Sequence, residues 1–137
     1  MTVVVGYLAT PEGEAALEAG VAEARRRDVR VVVVISRRTR HEQHVDVDAQ
    51  LDSLRDRLDD AEVAYEVRQL GRGNDVAADL VATARETVAE LLVIGLRQRS
   101  PVGKLILGSN AQRILLDAPC PVLTVKPDPA EEERSTF

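Results

Sequence analysis

The sequence has no tryptophan, two tyrosines and one phenylalanine, so aromatic side chains make up 2% of its 137 residues. Proteins that hold single-stranded nucleic acid stack bases on aromatic rings, and this composition offers almost no platform for that. The single cysteine, Cys120, excludes an intramolecular disulfide and a cysteine-based zinc cage. Cations are in the minority, with 18 Lys and Arg against 23 Asp and Glu and a net charge of −5. That balance argues against broad attraction to nucleic acid or to an anionic membrane, and neither is expected as a partner. The longest apolar run, Val31–Ile35, is far too short to span a bilayer. The opening segment Met1–Gly6 has neither the basic stretch nor the long apolar stretch of a secretion signal, so a cytoplasmic protein is expected.

What is present is a pattern of short Val-rich runs separated by stretches of helical periodicity. Residues 3–7, 29–35, 91–95 and 121–125 are apolar almost without interruption, as strands buried on both faces of a sheet are. Val63–Leu70 alternates more and reads as a strand at an edge. Thr10-Pro11-Glu12 has the hydroxyl and proline of a helix start, and the helix runs to about Arg27. His41–Asp60 reads as a charged amphipathic helix with Val45, Val47, Leu51, Leu54 and Leu58 inward. Asn74 or Asp75 caps a third helix, and Ser109–Asp117 forms a fourth. Strict strand–helix alternation gives a parallel sheet with helices on both faces and right-handed crossovers. The expected fold is therefore α/β, a single-domain doubly wound five-stranded parallel sheet of order 3-2-1-4-5. Residues 1–127 form the domain, and Asp128–Phe137 a polar tail.

In such a sheet ligands bind outside the carboxyl ends of strands 1 and 4, at the topological switch. That directs attention to Tyr7–Glu12 and to the segment from Gly95 to Asn110. Gly108 and Ser109 bring backbone amides and a hydroxyl together at a helix start, where anions bind readily. Arg97, Arg99 and Lys104 would add positive charge around a phosphate. The same residues would also serve as an ordinary turn, an N-cap and a solvated rim, so their chemistry alone leaves both uses open. Gly95 allows a sharp turn off the strand end.

These segments resemble the universal stress proteins (the UspA-like family), over nearly the whole chain. The family's nucleotide motif reads Gly-x2-Gly-x9-Gly-Ser/Thr; Gly95, Gly108 and Ser109 match it, and Gln98 replaces its second glycine. The run Ser100-Pro101-Val102-Gly103-Lys104 is similar to a bacterial subgroup with a basic loop, and Ala118–Val125 to the family's final strand. The resemblance implies the adenine-nucleotide alpha hydrolase-like form of the sheet and a stress sensor or regulator that binds ATP or AMP, with Mg²⁺ accompanying ATP. It implies that Gly95, Arg97, Arg99, Gly103, Lys104, Gly108, Ser109 and Asn110 surround the phosphates. Thr10 keeps a hydroxyl on the facing wall, and the backbone of Ile35 or Ser36 borders the adenine. ATP-binding members carry an Asp at the end of strand 1, where this chain has Leu8. Leu8 and Gln98 keep a second expectation open, a stress protein with a closed pocket that works through protein contacts. No residue pattern supplies a general base, so fast catalysis is not expected. A homodimer through the apolar edge strand Val122–Val125 is expected from its unpaired edge and from the resemblance.

The remaining candidates are weaker. His41 and His44 have metal-ligand spacing, but no second cluster completes a site. Cys120, between Pro119 and Pro121, reads as a small buried hydrophobe and not as a reactive thiol.

Overall fold

In the computed structural model, residues 1–8, 10–35, 47–70, 75–96 and 108–127 are described. Five strands form one sheet: β1 (Thr2–Tyr7), β2 (Arg30–Ile35), β3 (Tyr65–Gln69), β4 (Ala89–Gly95) and β5 (Val122–Val125). Every pairing is parallel and the order is β3-β2-β1-β4-β5, so the expected topology is observed. Four helices connect or cover the strands: α1 (Pro11–Arg27), α2 (Val47–Asp60), α3 (Val76–Glu86) and α4 (Ser109–Asp117).

The uninterrupted valine runs are explained by two separate cores. Successive side chains of a strand point to opposite faces. Val3, Val5, Val31, Val33 and Val93 pack on one face against Ala16, Leu17 and Ala24 of α1 and Leu54 and Leu58 of α2. Val4, Val32, Val34, Leu92 and Ile94 pack on the other against Ala77, Leu80 and Ala84 of α3 and Ile114 of α4. A polar residue at either parity would be buried, which is why the strands show little alternation.

Local chemistry sets the helix ends. The Thr10 hydroxyl accepts a hydrogen bond from the Gly13 amide at 3.1 Å, with Pro11 opening the helix as expected. The Asp75 carboxylate accepts from the Ala78 amide at 3.2 Å and caps α3. Where α3 turns into β4, Val88 adopts φ 53°, a left-handed conformation that β-branched residues seldom take.

Several boundaries differ from the sequence reading. β3 is shorter than Val63–Leu70 at both ends; the Leu70 amide still donates to the Ile35 carbonyl at 2.8 Å, while Leu70 packs with the α3–α4 face. In α2, Leu54 and Leu58 are buried and Leu51 is only half-buried. The expected helical residues 41–46, including His41, His44 and Val45, lie outside the described residues, as do Asn74 and the tail Asp128–Phe137.

Candidate functional site

The carboxyl ends of β1 and β4 splay apart at the switch point and leave a cleft of about 230 Å³. One wall is the end of β1, Gly6, Tyr7 and Leu8, with Glu12 and Gly13 of α1. The floor is apolar: Val34 of β2, Val76 and Leu80 of α3, Ile94 of β4 and Ile114 of α4. The opposite wall is Gly95, Leu96 and the first turn of α4, Gly108 to Ala111.

The α4 wall supplies hydrogen-bond donors. Gly108, not Ser109, is the N-cap, so Ser109 is the first helical residue; this corrects the reading of Ser109 as a cap. A glycine cap has no side chain to satisfy the first amides, and α4 has no side-chain cap. The first intrahelical bond runs from the Gln112 amide to the Gly108 carbonyl at 3.1 Å. The amides of Ser109, Asn110 and Ala111 therefore precede the helical ladder, at the end where the helix dipole favours negative charge. Ser109 and Asn110 are exposed. An ion pair across the helices steadies this turn: Arg113 of α4 meets the Asp75 carboxylate at 2.7 Å. Arg113, and then the Ala78 amide, hold the Asp75 carboxyl below the usual carboxylate range.

The two motif glycines in the described residues have different physical roles. A Cβ on Gly95 would collide with the carbonyl of Glu12, so this glycine lets α1 start directly beside the end of β4. Its backbone is not in the left-handed region, and the turn expected beyond it runs into residues outside the described ones. A Cβ on Gly108 would meet nothing within 4 Å. At φ −67° any residue fits there, so packing among the described residues makes no demand for glycine.

On the α1 side, a Cβ on Gly13 would strike the Leu8 carbonyl, which fixes the chain between β1 and α1 tightly against the cleft. The Leu8 carbonyl also accepts from the Thr10 amide at 2.8 Å. Tyr7 turns its ring to the opposite face, among the α1–α2 core residues, and donates its hydroxyl to Glu14. Arg57 of α2 donates to the same carboxylate. Burial first, and then the Glu14 hydrogen bond, push the Tyr7 phenol up to about 12.

Of the residues singled out in the sequence, Gly95, Gly108, Ser109 and Asn110 are brought together around the cleft. Thr10 is not on its lining, and its hydroxyl is occupied as a helix cap. Ile35 packs on the α1–α2 face, and Val34 lines the cleft instead. Ser36, Arg97, Gln98, Arg99, Gly103 and Lys104 lie outside the described residues. The sequence reading pointed to the segment Tyr7–Glu12 without giving Glu12 a role, and it missed Val34, Val76, Leu80 and Ile94 as cleft residues. Val76 and Leu80 carried a signal, the i, i+4 spacing of one helix face, but it is the same signal that marks a core stripe. Cys120 is partly buried against the α3–α4 core, and burial raises its thiol pKa. Among the described residues no group of three or more His, Cys, Asp or Glu is arranged to hold a metal ion, and no helix is long and apolar enough to cross a membrane.

Comparison with known proteins yields consistent matches. The family model described as "Universal stress protein family" matches residues 1–126. A universal stress protein of Mycolicibacterium smegmatis is 45% identical over 129 residues, covering 91% of this chain and 97% of the relative. The solved structure of a universal stress protein from Archaeoglobus fulgidus superposes with a TM-score of 0.76 at 35% identity, covering 92% of this chain and 98% of that one. A universal stress protein from the same organism, solved in complex with dAMP, gives 0.72 at 30% identity with the same coverages, 92% and 98%.

Proposed function

Because the chain belongs to the universal stress protein family, we propose that it binds an adenine nucleotide, ATP or AMP, in the cleft between β1 and β4. In this reading the protein is a cytoplasmic stress sensor or regulator and not a fast catalyst. The observation that carries the proposal is the uncapped first turn of α4 opening onto an apolar floor at the switch point. Amides that precede the helical ladder suit a phosphate, and Val34, Leu80 and Ile94 suit the flat face of a base. The dAMP bound by a relative at 30% identity supports the same chemistry.

The phosphates then lie against Gly108, Ser109 and Asn110; Gly103, Arg97, Arg99 and Lys104, outside the described residues, are the further residues expected to bind them. The base lies toward β2, where Val34 lines the cleft, and the backbone of Ile35 or Ser36 is its expected border. Mg²⁺ accompanies ATP. The alternative, a pocket closed by Leu8 and Gln98, is less favoured, since among the described residues Leu8 stands on the wall of a cleft of about 230 Å³.

The functional unit in this proposal is residues 1–127, assembled as a homodimer through β5. That strand pairs only with β4, so its other edge is unpaired among the described residues. Sedimentation at micromolar concentration tests the assembly. A dimer split by Thr124→Lys supports it, and a wild-type species of 15.0 kDa contradicts it.

Thermal unfolding with ATP, AMP and cyclic AMP, with and without Mg²⁺, tests the nucleotide assignment. A ligand at one hundred times its Kd stabilises the native state by about 2.7 kcal/mol. No shift with any of the three at millimolar concentration would remove the assignment.

A further inference from the structure

Among the described residues that line the cleft, Glu12 supplies the one carboxylate. It stands in the first turn of α1, and its Cβ lies 3.0 Å from the position a Gly95 Cβ would take, at the junction of the two walls. The nearby carboxylates of Glu14, Asp75 and Asp79 are not on the cleft lining, and the Asp79 Oδ2 is buried without a hydrogen-bond partner among the described residues. Glu14 takes Tyr7 and Arg57, and Asp75 takes Arg113 and the Ala78 amide. Glu12 is half-buried and has no hydrogen-bond or ion-pair partner among the described residues.

The cleft is therefore polarised. Donors lie at the start of α4, an apolar floor lies between, and one acceptor stands at the start of α1. An ionised carboxylate can only accept hydrogen bonds, and its two oxygens match the two donors of a vicinal diol. Its charge also disfavours a phosphate at that end, which fixes the direction in which a nucleotide lies. Leu8, the side chain next to it on the β1 wall, can accept nothing.

We propose that Glu12 accepts the ribose hydroxyls of the bound nucleotide and makes the cleft selective for ribonucleotides over nucleotides lacking those hydroxyls. The proposal rests on the nucleotide reading of the same cleft.

The test is calorimetric titration of AMP and of 2′,3′-dideoxy-AMP into the wild-type protein, Glu12→Gln and Glu12→Ala. Both variants keep Cβ and the backbone that packs over Gly95, and circular dichroism with a denaturant midpoint checks that each is folded. A hydrogen bond to a charged group makes the wild type bind AMP about tenfold more tightly than the dideoxy analogue. In Glu12→Ala the ratio falls to near one, through weaker AMP binding with the analogue's affinity unchanged. Glu12→Gln, which keeps one acceptor oxygen, gives an intermediate ratio. Equal affinities in the wild type, or an undiminished ratio in Glu12→Ala, overturn the role of Glu12 and leave nucleotide binding standing. Failure of both ligands to bind the wild type overturns the nucleotide reading itself, and the proposal with it.

Discussion

The carbonyl of Glu12, in the first turn of α1, fills the space that a Cβ on Gly95 would need at the end of β4. The contact is backbone against backbone, so neither partner can yield by changing a rotamer. It sets how closely the helix approaches the strand, and so sets the width of the cleft between β1 and β4.

Gly95→Ala should therefore destabilise the protein without any ligand present. Forcing extra atoms into a packed contact costs about 1–3 kcal/mol. Urea unfolding should show the midpoint fall with an unchanged slope. A variant as stable as the wild type would mean that α1 moves freely over β4.

Gly108→Val should behave differently. Among the described residues the added Cβ meets nothing within 4 Å and the backbone conformation suits valine, so stability should fall by no more than about 1 kcal/mol, the cost of a poorer N-cap. Nucleotide binding should weaken about tenfold or more, because a branched side chain blocks approach to the α4 amides and each charge-assisted bond matters at this scale. Wild-type affinity in this variant would remove the phosphate from the start of α4.

Much of this arrangement was legible in the sequence. The valine runs marked strands buried on both faces, Thr10 and the pair Asn74-Asp75 marked helix starts, and the alternation of elements located the switch point. The cleft's own surface was less so. Whether Val34 or Ile35 faces it is a matter of pleat parity, and in a strand buried on both faces the apolar pattern cannot report parity. Glu12 lay in the segment that the switch point singled out, but the sequence does not say which residues of that segment line the cleft. The motif treats Gly95 and Gly108 alike, whereas one makes room for a helix and the other leaves room beside the cleft.

Tyr7 gives the protein a pH dependence on the alkaline side. Its folded-state pKa of about 12 lies above the ordinary value of 10.0, so the folded state favours the neutral phenol. The resulting stabilisation is fully present below pH 10 and is lost as pH rises toward 12. Urea midpoints measured from pH 9 to 11.5 should fall more steeply for the wild type than for Tyr7→Phe. Parallel curves would show that the phenol titrates normally.

Val88 should be improvable. Its φ of 53° and 65% exposure combine a conformational cost with an apolar side chain that gains little from packing. Val88→Gly relieves a left-handed conformation that costs an L residue about 1–2 kcal/mol, partly offset by the greater chain entropy of glycine. The urea midpoint should rise, and a fall would show that the valine side chain packs usefully where it stands.

The nucleotide cleft is tested most directly by a crystal structure of the protein grown with AMP. The account predicts the phosphate within about 3 Å of the Ser109 and Asn110 amides and the base against Val34, Leu80 and Ile94. A cleft left empty at saturating AMP, or a phosphate bound away from the first turn of α4, would contradict it.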